Sequence, residues 1–267
     1  MLLLQAALLG VVQGLTEFLP VSSSAHLLLA RLFFGWDAEQ FGRPFDVACH
    51  VGTLAAILIY FRTDLRQMLA ALPRIFSRAA DEPAKLAWLV GVGTIPLIPM
   101  GLFLSGLEDT LRTPKVIVVT LAVVGVAMLV ADRLGRGTRR ADDLSSGEAL
   151  ALGVAQGMAL IPGVSRSGAT ITTGLAFGLE RSAAARFSFL LGVPAMFAAA
   201  AHEGRHLLGH PMDALTAQVF ITGIIVSGLV GYATVKYFLR YLASHSLSVF
   251  GWYRIALAAV TVAWLLA

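Results

Sequence analysis

The chain has 267 residues, of which 57% are hydrophobic and only 13% charged, with a mean hydropathy of +0.79. A soluble domain carries about 25% charged residues, so this balance excludes a soluble globular protein and points to a polytopic membrane protein. The net charge of +4 calls for no nucleic-acid partner, because Lys and Arg gathered on one side of a membrane raise the charge by themselves.

The first apolar region, 1–36, opens on Met1-Leu2-Leu3-Leu4 with no basic stretch and no small-residue cleavage site, so no removable signal peptide is expected. Its middle is broken by the polar run Gln13-Gly14-Leu15-Thr16-Glu17-Phe18-Leu19-Pro20-Val21-Ser22-Ser23-Ser24-Ala25-His26. Three spans are expected near 45–62, 84–106 and 114–133, each about the 20 residues that hydrocarbon requires. Cys49, the only cysteine, falls in the first of them and reads as a small packing residue. A second broken apolar region, 147–180, carries Gln156-Gly157-Met158-Ala159-Leu160-Ile161-Pro162-Gly163-Val164-Ser165-Arg166-Ser167-Gly168-Ala169-Thr170. Three more spans follow near 183–202, 215–238 and 249–266.

The two broken regions match. A shift of 143 residues lays Leu9, Gly10, Val11, Gln13, Gly14, Val21, Ser22 and Ser24 on Leu152, Gly153, Val154, Gln156, Gly157, Val164, Ser165 and Ser167. Lipid does not tolerate irregular polar backbone unless it lines a site, so each region reads as a re-entrant helix–loop–helix hairpin. One hairpin plus three spans then occurs twice, over 1–133 and 147–267, within a single integral-membrane domain. Three is odd, so the second unit is inverted. The expected fold is an all-α polytopic membrane protein with an inverted-topology repeat, six transmembrane helices and two re-entrant hairpins.

Under this plan one side receives thirteen basic residues, Arg62, Arg66, Arg74, Arg78, Lys85, Arg133, Arg136, Arg139, Arg140, Arg181, Arg186, Lys236 and Arg240. The other receives five, Arg31, Arg43, Arg112, Lys115 and Arg205. The first side is therefore expected in the cytoplasm, with both termini outside and the hairpin tips meeting inside the membrane. The Arg-rich stretches 63–83 and 134–146 read as solvated connectors. Glu108, Asp109, His202, Glu203, His206 and His210 are expected in solvated outer loops, with no metal-ligand spacing among the histidines.

The polar runs suit an anion. Pro20 and the serine run end one half-helix and cap the next, as do Pro162-Gly163 and Ser165-Arg166-Ser167, so two helix N-termini, hydroxyls and Arg166 face one place. Phosphate is the natural guest for Arg166, Ser22, Ser165, Ser167 and Thr170. The competing reading of Arg166 is a simple pair with Glu17, which would leave the hydroxyls and helix ends surplus. Thr172 and Thr173 read as bonded to helix carbonyls. Glu17 can hold a divalent cation or act as a base, and Gln13, one turn earlier, adds a neutral oxygen. His26 can take a proton from a serine, give one to a leaving group, or attack phosphorus. Asp46 and His50, four apart near the outer end of the first full span, either extend the site outward or pair with each other.

The runs QGLTEFLPVSSSAH and PGVSRSGAT resemble the two signature motifs of the undecaprenyl-diphosphatase, or bacitracin-resistance, family, and the resemblance extends over the whole chain. It implies an integral enzyme of the bacterial inner (plasma) membrane. Such an enzyme hydrolyses undecaprenyl diphosphate to undecaprenyl phosphate and inorganic phosphate, recycling the lipid carrier for cell-wall synthesis and opposing bacitracin. It implies dependence on Mg²⁺ or Ca²⁺, with Glu17 the one candidate metal ligand. The motifs map onto Glu17, Ser22, Ser23 and His26, and onto Ser165, Arg166 and Thr170. Gln13 stands where Glu is also common, and Ala25 where Gly is usual. Ser23, His26 or an activated water is the expected nucleophile, with Ser23 preferred, and the site is expected to open to the outer face. The expected partners are the lipid substrate and membrane lipids, and a homodimer is compatible with the sequence. The alternative is a transporter that moves undecaprenyl phosphate between leaflets, since the same anion site serves either role.

Overall fold

A computed structural model describes residues 1–36, 41–77, 80–135, 137–207 and 213–267, the side chains at 105, 108–109 and 202–207 excepted. Arg78, Arg136 and His210 lie outside the described residues, as do the side chains of Glu108, Asp109, His202, Glu203, Arg205 and His206. The described residues form helices without a strand, apart from one isolated bridge between Arg139 and Leu179.

Two short helices, α1 (Leu2–Thr16) and α2 (Ser23–Phe34), make the first hairpin. The first span is α3 (Arg43–Tyr60), entered through Gly42 and Pro44. Next come α4 (Arg62–Ala71), α5 (Glu82–Thr94), α6 (Leu97–Leu104), a single turn α7 (Glu108–Leu111) and α8 (Pro114–Leu134). The second hairpin is α9 (Ser146–Met158) and α10 (Arg166–Ala176), followed by α11 (Arg181–Leu207), α12 (Ala214–Leu242) and α13 (Ser248–Leu266). Among the described residues five helices are long and apolar enough to cross a membrane, α5 and α6 counting together. The number is six if α3 and α4, bent by 74° at their junction, are one span.

Helix packing follows small residues, as expected where lipid is as apolar as Leu and backbones must approach closely. Hairpin helix α1 lies on α12, where a Cβ on Gly10 would stand 3.0 Å from Val226 Cβ. At the matching position of the second hairpin, Gly153 lies against the Gly93 carbonyl of α5, with no room for a Cβ. The exposed faces are apolar, with Val119, Val123, Val126 and Val130 in a row down α8. Cys49 is buried among Leu9, Phe45 and Val219, as a packing residue should be.

The connectors depart from the sequence reading. Residues 62–71 are helical, with Met68 and Ala71 buried, because this stretch is amphipathic and lies back against α5. Several charges of the two Arg-rich stretches are paired: Asp64 with Arg186, Arg74 with Asp81 at 3.0 Å, Arg139 with Glu148 at 2.7 Å and Arg140 with Glu82 at 2.9 Å. Arg181 meets Asp132 at 2.6 Å at the same end of the bundle. At the opposite end Arg31, counted among the basic residues of the outer side, is buried in α2 and pairs with Asp46.

Candidate active site

The two hairpin tips meet in the middle of the bundle. Ser22 (φ 75°) and Ser165 (φ 71°) are the only non-glycine residues with positive φ among the described ones. Such backbone costs about 1–3 kcal/mol and persists where surrounding contacts impose it. Each serine caps the helix that follows. Ser22 Oγ accepts from the Ala25 amide at 3.4 Å, and Ser165 Oγ from the Gly168 amide at 3.1 Å. Each also lies 3.2–3.3 Å from the hydroxyl two residues on, Ser24 or Ser167. The capping role expected of the serines is thus present in both halves, and the N-termini of α2 and α10 open toward one cavity.

Glu17, at the C-terminal end of α1, is the hub. Its Oε2 accepts from Ser23 Oγ at 2.8 Å and from Gln13 Nε2 at 3.0 Å, and lies 3.3 Å from His50 Nε2. Its Oε1 accepts from Arg166 Nη2 at 3.2 Å. Arg166 therefore does pair with Glu17, yet its Nε and Nη1 are buried without a partner. The pair does not exhaust the guanidinium, and the two spare nitrogens are what an incoming anion would take up. A glycine makes room for this side chain: a Cβ on Gly192 of α11 would overlap Arg166 Nη1. The cavity holds about 180 Å³ and is lined by Glu17, Ser22, Ser23, His50, Gln156, Ser165 and Arg166 on its polar side, with Leu97, Leu160 and Met196 on its apolar side.

Four expected residues are placed differently. His26 points away from Glu17: its Nδ1 lies 2.7 Å from the Ser22 carbonyl and its Nε2 2.7 Å from the Tyr253 hydroxyl, with the two rings stacked. Thr170 turns its hydroxyl to the Arg166 carbonyl at 2.7 Å and to Ser188 of α11, so it joins two helices instead of lining the cavity. Ser167 is fully buried and donates to the Leu19 carbonyl at 3.1 Å, tying one loop to the other. The side chains of Asp46 and His50 part, although His50 Nδ1 lies 2.7 Å from the Asp46 carbonyl. His50 joins Glu17, while Asp46 is held by Arg31 at 2.6 and 3.0 Å and by Arg112 at 2.9 Å. Thr173 bonds the Ala169 carbonyl at 2.9 Å as expected, whereas the buried Thr172 hydroxyl has no protein partner.

Two residues were not anticipated. Arg254, in the middle of α13, is fully buried and donates to carbonyls of both loops: Pro20 at 3.1 Å, Gly163 at 2.7 Å and Val164 at 3.1 Å. It also reaches Thr120 and Leu121 of α8. The Pro20, Gly163 and Val164 carbonyls belong to chain turns that no helix satisfies, and one planar fork serves all three. The signal was a lone arginine in an apolar span. Tyr253, beside it, holds His26.

A divalent cation finds a thin donor set. Among the described residues no three His, Cys, Asp or Glu side chains gather. Glu17 is the one carboxylate, and Gln13 Oε1 is buried without a partner. Such a set suits a cation carried largely by substrate phosphate, as Mg²⁺ commonly is, and does not suit a resident ion in a protein cage.

The family model described as bacitracin resistance protein BacA matches residues 6–260. The undecaprenyl-diphosphatase of Rubrobacter xylanophilus is 49% identical, over 99% of this chain and 98% of its own length. That of Thioalkalivibrio sulfidiphilus is 44% identical over 96% and 97%, and that of Trichlorobacter lovleyi 41% over 95% and 94%. With a family model and full-length relatives in agreement, the chain belongs to the bacitracin resistance protein BacA family.

Proposed function

We propose that this chain hydrolyses undecaprenyl diphosphate to undecaprenyl phosphate and inorganic phosphate in the bacterial plasma membrane, recycling the lipid carrier of cell-wall synthesis and giving bacitracin resistance. The observation that carries the mechanism is the hydroxyl of Ser23, 2.8 Å from a carboxylate that Gln13, Arg166 and His50 hold in place. A nucleophile, a base and groups that orient the base are the parts of covalent phosphoryl transfer.

The terminal phosphate sits between the N-termini of α2 and α10, where the free N–H groups, Ser165 and the two bare nitrogens of Arg166 neutralise its charge. Ser23 Oγ attacks phosphorus as Glu17 takes its proton. The bridging P–O bond breaks and undecaprenyl phosphate leaves. Glu17 passes that proton to the departing undecaprenyl phosphate, then takes one from the water that attacks the seryl phosphate and returns it to Ser23 Oγ as inorganic phosphate departs. His26, both of whose ring nitrogens are engaged elsewhere, positions the Ser22 turn and α13. Glu17 and Gln13 Oε1 are the oxygens that would hold Mg²⁺ or Ca²⁺, which supplies charge neutralisation on the phosphate oxygens.

The two halves form an inverted repeat, a reading supported by equivalent packing: α1 on α12 mirrors α9 on α5, and α3 on α12 mirrors α11 on α5. With the Arg-rich end in the cytoplasm, both termini and the mouth of the site face outward. The same symmetry favours the second reading, lipid phosphate transport between leaflets. A serine bonded to a carboxylate favours hydrolysis, since carriage needs no nucleophile.

The test is phosphate release from undecaprenyl diphosphate by detergent-purified protein with Mg²⁺, with Ca²⁺ and with EDTA. Release that needs the metal and is lost in Ser23→Ala supports the scheme. No release from folded protein overturns it and directs attention to a flipping assay in vesicles.

A further inference from the structure

Gln156 occupies the position in α9 that Gln13 occupies in α1, nine residues before the capping serine of each loop. The two amides live differently. Gln13 donates to Glu17, one turn on. In the second half the residue one turn on is Leu160, whose side chain has nothing to accept a hydrogen bond. Gln156 is 2% exposed, and neither its Nε2 nor its Oε1 has a protein partner. It lines the cavity that also contains Glu17, Ser23, Ser165 and Arg166.

A buried amide with both ends bare costs about 1–3 kcal/mol per group and calls for a partner from outside the chain. The cavity's other bare groups are Arg166 Nε and Nη1, all donors, so the guest accepts several hydrogen bonds. A carboxamide adds one further donor and one acceptor. That combination suits a phosphate group, whose non-bridging oxygens accept and whose remaining hydroxyl donates.

We infer that Gln156 is a further substrate-contacting residue, its carboxamide hydrogen-bonding the diphosphate head group between the two loops. The inference rests on the phosphatase reading above. In the first half the glutamine holds the base, and in the second the freed glutamine holds the phosphate.

Gln156→Leu, Gln156→Met and the wild-type protein are compared by phosphate release at varied undecaprenyl diphosphate, and by melting temperature in detergent without substrate. An apolar side chain of similar size replaces an amide that bonds nothing in the protein, so the melting temperature stays or rises. Losing a hydrogen bond to a charged group lowers kcat/KM about tenfold to hundredfold, with a raised KM. Wild-type kcat/KM in either folded variant overturns the inference while leaving the phosphatase reading standing. A melting temperature that falls in both variants in step with activity overturns it in favour of a packing role. No release by the wild-type protein overturns the phosphatase reading and the inference with it.

Discussion

The loop around Ser22 and the loop around Ser165 share a backbone and divide the chemistry. Both turn through a positive-φ serine, cap the next helix with it and place a second serine two residues on. In the scheme proposed above the first loop supplies a base and a nucleophile, Glu17 and Ser23, and the second a cation, Arg166. The matched loops provide two helix N-termini, and on that scheme divergence in a few side chains turns a symmetric anion site into an asymmetric catalytic one. The cross-loop bond from Arg166 to Glu17 joins the two contributions, so losses on either side should resemble each other.

The largest effects should come from that junction. Ser23→Ala and Arg166→Ala are each expected to lower kcat by about 10³-fold or more, as removal of a nucleophile or a transition-state donor does. Steady-state phosphate release checks this, and the double variant should lose little beyond either single one, because the residues act as a unit. Full additivity would mean that the two loops work independently.

Next is the room that α11 gives to the arginine. Gly192→Ala places a methyl where Arg166 Nη1 now lies, and the displaced guanidinium should cost about 10²-fold in kcat/KM. The same substitution in an Arg166→Ala background should cost almost nothing further, which a double-mutant cycle reads directly. An equal loss in both backgrounds would assign Gly192 to helix packing alone.

Arg254 tests what holds the loops in register. Arg254→Met leaves the carbonyls of Pro20, Gly163 and Val164 buried without donors, a loss of about 3 kcal/mol or more. The melting temperature in detergent should fall, and activity with it, while Arg254→Lys recovers part of the stability because one ammonium can serve fewer of the scattered carbonyls. His26→Gln should lower kcat by less than about tenfold, since its ring lies on Tyr253 and away from the reacting groups. A thousandfold loss would return His26 to the chemistry.

Much of this was legible in the sequence, for physical reasons. Apolar regions broken by Pro, Gly and Ser read as pairs of half-helices around a polar loop, so α1–α2 and α9–α10 were visible, as were the capping serines and Arg166. Spans follow from length and apolarity. Directions in space were not legible. His26 and Ser23 lie three residues apart on one short helix, and only the neighbouring α13, with Tyr253, decides which way the imidazole turns. From their spacing Asp46 and His50 were read either as extending the site or as pairing with each other; His50 reaches Glu17, whereas Arg31 and Arg112 claim Asp46 from elsewhere in the chain. Arg254 was passed over because charges were counted in connectors, where they orient the chain, and not within a span. Gly192 carries no sign of its task, since a missing methyl acquires meaning only when Arg166 is seen against it.

The smallest effects should lie in the feature that the two loops share most fully. Ser22 and Ser165 each combine a favourable cap with an unfavourable φ. Replacement of Ser165 by Ala removes the cap and retains the strain, a loss of about 1 kcal/mol. Replacement by Gly removes the cap but relieves the positive φ, so the net change should be only a few tenths of a kcal/mol. The order Ser, Gly, Ala in melting temperature is therefore expected at both positions. Activity should follow a different order at each. Ser165 lies beside Arg166 at the cavity wall, and Gly there loses a hydroxyl that meets phosphate in the proposed scheme. Ser22 lies beside Ser23, and Gly there loosens the turn that brings the Ser23 hydroxyl to Glu17. Equal activity losses at the two positions would mean that the loops are symmetric in chemistry as well as in backbone. A larger kcat effect at Ser22 and a larger KM effect at Ser165 would assign attack to the first loop and phosphate binding to the second.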